Sequence, residues 1–564
     1  MLQFCNGNFL QTDKLYKTQH RTPLYTNLEI PREGIDFCIG KILPSSMYLS
    51  PMVIICEVEE RQPSENPDGS KAVLISTTGQ DLMDDLAHVI SFYFRGLCTT
   101  SQSFTKQLLS GEKIAGHTTS DYLCSFFDER ITVTQEQASE FQSFFSKLVN
   151  SPRTHYEKSI QAIRRYVTAA IRISDDLDAA YTLFVASIES LAQDTLETEI
   201  TWNDVPPQKR KGLDRILENL DNPIANSIRA EIIAHEHLAL SRKFIKAVMS
   251  SLNKNFYKTE NKKFRLVGEN ELRIATKNAY NLRSKYVHIL KPLPTEISEP
   301  YNLDYCVEVD DKPHLTFNGL SAVTREVILK FVNDMPVCKK ENIDILKIIP
   351  GVRFARMSEL YWMNDVRALV KGNYISILNA VLSRIEHGIV TEKHEIPNMQ
   401  PIVNEIGNRL KTENNKDDIR ILMSILILLS GIYKFTLDDT YEKTIQKHSY
   451  IYESKGIEML LINTMFGKKL ESINEYYTSF KEYANFKYQK NKLKLSEFFE
   501  SLICANLVNH FSDNPNNPVI QELLDYIDFN TPNSPIKTEH YYKDKGAKFD
   551  IYGYLKLKKH SNSN

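Results

Sequence analysis

The chain lacks most of the marks by which a chemistry is read from sequence. Its eight cysteines, Cys5, Cys38, Cys56, Cys98, Cys124, Cys306, Cys338 and Cys504, are scattered, with no CxxC and no Cys/His cluster at zinc spacing. That argues against a structural metal and fits a reducing, cytoplasmic setting. No apolar run is long enough to cross a bilayer: the strongest, ILMSILILLSGIY at 421–433, lies between Arg420 and Lys434 and reads as a buried helix. The opening MLQFCNGNFLQTDK has no basic segment followed by an apolar one, so no signal peptide is expected. Neither GxxxxGK[ST] nor GxGxxG occurs, which leaves nucleotide binding by those loops unsupported, and no cofactor is called for. A fixed repeat period is also missing, so a solenoid is not expected. The net charge of −2 excludes polyanion binding by bulk charge and leaves that question to local clusters.

What is present is a chain of 564 residues, 42% hydrophobic, long enough for about three or four domains. The patterning predicts an α+β fold, predominantly α-helical. Residues 1–150 read as a mixed α/β domain: GIDFCIG, MVIICEVEE and KAVLIST are short β-branched runs, followed by a helix over 80–99 with Leu82, Leu86, Ile90 and Phe94 on one stripe. Residues 151–295 turn helical. Tyr156, Ile160, Ile163, Val167 and Ala170 form one seam, and Leu177, Tyr181, Phe184, Ile188 and Leu191 a second, with Ser174 a candidate cap between them. Stretches 213–220 and 225–252 look helical. Asn270 is then a candidate cap for a final helix that Pro292 and Pro294 stop. Residues 296–350 read as a connector with short strands at YCVEV and HLTFN. A C-terminal helical domain over 351–511 includes SELYWMNDVRALV, and a loop-rich tail over 512–564 holds a possible strand at IYGYLKLKK.

Charge is unevenly spread. Residues 242–291 carry thirteen Lys or Arg against three acids, whereas 171–241 carry six against thirteen. Positive charge gathered on the last helical elements is what a nucleic-acid backbone needs, although a solvated face balanced by the acidic neighbours has the same composition. The final helix ends in NLRSKYVHILKPLP, with Arg283 five residues before His288. An arginine followed by a histidine after four to six residues is weak on its own. With 14 histidines and 23 arginines, chance gives about two such spacings, and two occur, the other being Arg229/His235. Position favours the first: a helix C-terminus attracts cations and raises a histidine's pKa. An imidazole there can take and give a proton near neutrality, and a guanidinium offers a fork of donors for a phosphate. Five residues turn a helix by about 140°. Either the helix end unwinds, or the site forms across two protomers, each supplying one Arg/His set.

The segment 151–295 resembles a HEPN domain, a helical bundle common in prokaryotic toxins and antiviral systems. The resemblance rests on RSKYVH, which fits that family's Arg-x4–6-His motif, and on AYTLFVASIESLAQD, similar to a helix of the Apea-like branch. It covers about a quarter of the chain. It implies a metal-independent endoribonuclease acting as a homodimer and leaving a 2′,3′-cyclic phosphate, with Arg283 and His288 as the catalytic pair. Glu189 falls where the family often keeps an acid, either to orient Arg283 or as a structural ion pair. Ser284 stands where many active members have Asn, Asp or His, and Tyr286 reads as packing. Lys277, Lys285 and Lys291 are the candidate RNA contacts. The resemblance further implies a regulated toxin in antiphage abortive infection, acting on RNA, without membrane association, and answering to a phage-derived trigger or regulatory partner. The alternative is a non-catalytic dimerisation or nucleic-acid-binding module of the same shape. Elsewhere, His235 and His237 point apart, His387 reads as a helix cap, and FKYQKNKLK at 486–494 reads as a solvated face that could hold RNA.

Overall fold

The computed structural model describes residues 1–10, 12–45, 51–66, 69–75, 77–110, 118–123, 126–192, 202, 207–235, 238–258, 267–299, 304–338, 341, 344–349, 352–353, 358–361, 363–393, 395–490, 492–544 and 547–555. The architecture is α+β and predominantly helical. The chain forms two units, 1–353 and 354–564.

The first unit opens on a five-stranded antiparallel sheet. Its strands are β1 (Leu15–Thr26), β3 (Ile35–Phe37), β4 (Gly40–Pro44), β5 (Met52–Pro63) and β6 (Cys98–Thr99), in the order β3-β4-β5-β1-β6. Between them, β2 (Leu28–Glu29) pairs in parallel with β7 (Ile131–Thr132). The spine is β1 against β5, twelve residues each, in register from Leu15 opposite Pro63 to Thr26 opposite Met52. Sequence patterning found β5 and missed β1, because LYKTQHRTPLYT hides its pairing under polar residues. Cross-strand charge pairs, Lys17–Glu59 at 3.2 Å and Arg21–Glu57 at 3.2 Å, replace the apolar alternation. Among the described residues of KAVLIST no strand forms: an isolated bridge joins Glu65 to Lys71, the Ile75 N–H donates to the Gln62 side chain at 3.1 Å, and Val73 is exposed.

Helix α1 (Gln80–Phe94) lies between β5 and β6, α2 (Gln102–Leu109) follows β6 and α3 (Gln135–Val149) follows β7, and the expected stripe of α1 is buried. Next come α4 (Arg153–Arg172), α5 (Leu177–Ala192), α6 (Pro207–Leu217), α7 (Asn222–His235), α8 (Leu238–Ser251), α9 (Lys254–Lys258), α10 (Glu269–Ile289) and α11 (Thr295–Ser298). The seams of α4 and α5 face each other, and the Ser187 hydroxyl donates to the Ala162 carbonyl at 2.8 Å, so the two helices approach closely. Asp176, not Ser174, caps α5: its carboxylate accepts from the Ala179 N–H at 2.9 Å. A hairpin, β8 (Cys306–Val309) and β9 (Lys312–Leu315), leads into α12 (Phe317–Asn333). Gly319 lets α12 approach that hairpin, since a Cβ there would stand 2.0 Å from the Tyr305 carbonyl oxygen. Residues 1–150, 151–295 and 296–350 all contribute to one buried apolar cluster that runs from Leu2 to Val332.

The second unit holds α13 (Tyr374–Thr391), α14 (Gln400–Thr412), α15 (Lys416–Tyr433), α16 (Glu442–Lys447), α17 (Ile457–Met465), α18 (Ile473–Phe486), α19 (Glu497–Phe511), α20 (Pro518–Asn530), α21 (Glu539–Lys543) and α22 (Ile551–Leu555). The apolar run at 421–433 is the buried body of α15, and α19 is buried on nearly every face, as a central helix must be. Two expectations fail here. SELYWMNDVRALV forms only single 3-10 turns at Glu359–Tyr361 and Val366–Ala368, with Trp362 outside the described residues. Among its described residues the tail is not mostly loop: α20 seats Ile520, Leu523, Leu524 and Ile527 in the core, and Ile551–Leu555 is helical rather than a strand. The rest of IYGYLKLKK lies outside the described residues. Among the described residues, no helix is long and apolar enough to cross a membrane.

Candidate functional site at the end of α10

Helix α10 is set by its own sequence. Gly268, in extended conformation, is its N-cap, so Asn270 lies inside the first turn, where Glu269 and Glu271 complement the helix dipole. Leu272, Ala275, Thr276 and Ala279 are buried, and Asn278 donates to the Pro313 carbonyl at 2.8 Å, tying the helix to β9. The helix ends at Ile289, before either proline. Leu290 adopts a left-handed conformation, φ 51°, and its N–H donates to the Tyr286 carbonyl at 2.9 Å. The chain then docks on the start of α5, where the Leu293 N–H donates to Asp178 at 2.6 Å.

Arg283 faces α5. Its Nη2 lies 2.8 Å from Glu189 Oε2, with the side chains 26% and 19% exposed. The Tyr280 hydroxyl also hydrogen-bonds Glu189, and burial pushes the Glu189 carboxyl above its usual range despite the opposing pull of Arg283 and Tyr280. The Arg283 Nε is buried without a hydrogen-bond partner. One edge of the guanidinium is therefore anchored while another donor remains unspent. Ser284, half-buried, follows directly. Tyr286 is half-buried, and burial, then the charges of Asp176 and Asp178, raise its hydroxyl pKa.

His288 is exposed. Because α10 runs unbroken through Ile289, the unwinding that would bring Arg283 and His288 to one face does not occur. In one chain they project about 140° apart. The solvent face carries Arg273, Lys277, Asn281, Ser284 and His288, within about 80° of one another on an ideal helix. Lys277, Lys285 and Lys291 are exposed. Beside His288 stand exposed apolar side chains: Val287, Ile289 at 69% and Leu290 at 75%. Sequence reasoning did not find the cleft between α8 and α10, about 660 Å³, where Arg242, Lys246, Arg273 and Lys277 converge. The excess of basic residues over 242–291 was its signal, but only the packing of the two helices places those four together.

The other sequence candidates are otherwise engaged. Arg229 pairs with Asp214 at 3.3 Å and lies over the Trp202 ring at 5.5 Å, while the His235 side chain and His237 lie outside the described residues. The His387 ring is exposed and caps nothing among the described residues; only its backbone carbonyl takes part, accepting from the Thr391 hydroxyl at 2.7 Å. Within FKYQKNKLK, Lys487 is half-buried and paired with Glu500 at 2.8 Å, whereas Lys490, Lys492 and Lys494 are exposed. Among the described residues, no group of three or more His, Cys, Asp or Glu could hold a metal ion. Compared with known proteins, the chain matches no family model, no curated protein and no solved structure.

Proposed function

We propose that the protein is a metal-independent, HEPN-type endoribonuclease that works as a homodimer in the cytoplasm, with Arg283 and His288 as its catalytic pair. The observation that carries this reading is the division of labour along α10. Arg283 is anchored to Glu189 with its Nε unspent, while His288 stands exposed five residues on in an unbroken helix. Two groups turned 140° apart serve one phosphate only if a second copy of the helix supplies the complementary pair. The exposed Val287, Ile289 and Leu290 support such a contact, since apolar side chains clustered beside a polar site are covered in an assembly more often than left to water.

The chemistry follows from these parts. One His288 accepts the proton of a ribose 2′-hydroxyl as its oxygen attacks the adjacent phosphorus. A 2′-O–P bond forms and the P–O5′ bond breaks. The same imidazole, now protonated, delivers that proton to the leaving 5′-oxygen, leaving a 2′,3′-cyclic phosphate and a 5′-hydroxyl. Arg283 holds the charge that builds on the phosphoryl oxygens, with Ser284 as a second donor, and Glu189 fixes the guanidinium. Lys277, Lys285 and Lys291 attract the RNA backbone. An enzyme of this kind harms its own cell unless restrained, so the remaining parts of the chain would serve regulation, as in an antiphage toxin released by a phage-derived trigger.

Expression of the wild type and His288→Ala, followed by growth and total-RNA profiles, tests this. Cleavage and toxicity in the wild type that disappear in the variant support the enzyme. Equal activity in both, or RNA binding by the wild type without any cleavage, favours the non-catalytic module instead.

A further inference from the structure

We infer that the cleft between α8 and α10 is the subsite that holds single-stranded RNA and leads it to His288, with Arg242, Lys246 and Arg273 as positioning residues. The inference rests on the RNA-cleavage reading for its direction, but the cleft stands on its own observations. Its rim is basic: Arg242 and Lys246 from α8 meet Arg273 and Lys277 from α10, against the single acid Glu269, which pairs with Arg273 at 3.0 Å. Lys246 and Lys277 make no ion pair among the described residues. Its floor is apolar, formed by Ile245, Met249 and Ile274, the last 49% exposed. An apolar floor inside a cationic rim is the surface of an unstacked nucleotide in negative image. The base lies on the floor while the phosphates meet the rim. A duplex keeps its base faces stacked inside and leaves such a floor uncovered, so the chemistry favours a single strand.

Placement gives the cleft its role. Positions 277, 281, 284 and 288 follow one stripe of α10, and eleven residues bring the helix back to within about 20° of the same direction while advancing about 16 Å. A strand seated on Lys277 and running along this stripe passes Asn281 and Ser284 and arrives at His288. Arg283, on the other side of the helix, is reached only where the second copy approaches. The cleft therefore binds the flanking nucleotides, and the end of α10 acts on the linkage.

The test uses the full chain carrying His288→Ala, so that RNA stays intact, and a fluorescein-labelled single-stranded oligoribonucleotide read by anisotropy. A duplex of the same length and a Lys443→Glu variant, altered at an exposed lysine of the second unit, are the controls. Lys246→Glu with Arg273→Glu should weaken single-strand binding at least tenfold and flatten the dependence of log affinity on log salt by about 1.4, roughly 0.7 for each lost phosphate contact. Ile274→Ser should weaken the single strand and leave the duplex unchanged. In the active background, the double reversal should raise KM with kcat retained. Binding by the double reversal equal to that of Lys443→Glu overturns the proposal, as does equal affinity for duplex and single strand or no RNA binding by the parent. If the wild type fails to cleave while the reversal still abolishes binding, the nuclease reading falls and the subsite stands. If cleavage proceeds in the reversal with unchanged KM, the subsite falls and the nuclease stands.

Discussion

Each unit of the molecule holds a half-hidden acid–base pair, and the two pairs are finished differently. In the second unit, Lys487 and Glu500 are 11% and 2% exposed. The Lys487 ammonium donates to both carboxylate oxygens at 2.8 and 2.9 Å, and the hydroxyls of Tyr483 and Tyr526 add bonds of 2.6 and 3.1 Å. The two Glu500 oxygens thus accept four bonds, which fills their acceptor capacity. In the first unit, Glu189 and Arg283 share one contact, Tyr280 closes one side, and the Arg283 Nε is left over. A satisfied buried pair fixes packing, whereas the Glu189–Arg283 pair leaves one buried donor without a partner.

The comparison can be broken at either pair. Lys487→Met leaves Glu500 buried and unpaired, and should cost about 3–5 kcal/mol of stability, seen as a lower Tm and as faster hydrogen exchange in α18, α19 and α20. Glu189→Gln should act in the opposite sense. Burial raises the Glu189 pKa, so the folded state holds that proton more tightly than the unfolded chain. The charged carboxylate therefore costs stability as pH rises above the ordinary value of 4.5, and the amide removes that cost. Stability at pH 7 should hold or rise slightly, while cleavage falls about tenfold, the order of one charge-assisted hydrogen bond to Arg283. A drop in Tm as large as that of Lys487→Met would make Glu189 a structural acid and no more.

A smaller effect separates the pairs by pH. Burial alone would lower the Lys487 pKa, but the Glu500 carboxylate and the Tyr526 hydroxyl outweigh it and the pKa is raised. Burial, and then Glu500, raises that of Tyr483. Both groups hold protons more tightly when folded. Their contribution is complete below the ordinary values of 10.5 for lysine and 10.0 for tyrosine, and is lost as pH climbs past them. Hydrogen exchange in α18 to α20 should stay slow through pH 9 and rise above about 10, ahead of α4 and α5.

How far the sequence could be read depended on what each element showed on its surface. Helices with apolar seams, α1, α4, α5 and α15, were legible because burial repeats at their own period. Strand β1 was not, because its pairing runs through Lys17, Gln19 and Arg21 against β5 rather than through apolar alternation. SELYWMNDVRALV has helical composition yet buries Met363 and Leu369 in the core beside single 3-10 turns, and the tail helix α20 lay among the Asn and Pro residues that also make loops. At the site, spacing and position singled out Arg283 and His288, the family resemblance added Glu189, and the ion pair between α10 and α5 joins Arg283 to Glu189. The basic cleft needed Arg242 and Lys246 to meet Arg273 and Lys277 across two helices, a juxtaposition no local window contains.

The central claim is that Arg283 of one copy works with His288 of another. The direct measurement is complementation: Arg283→Ala and His288→Ala chains are co-expressed with two different tags, purified through both tags in succession, and assayed for RNA cleavage beside each variant alone. Each variant alone should be inert, and the mixed dimer, which keeps one arginine and one histidine on opposite chains, should cleave. A mixed dimer as inert as its parents, or a wild-type chain that cleaves fully as a monomer, contradicts the account.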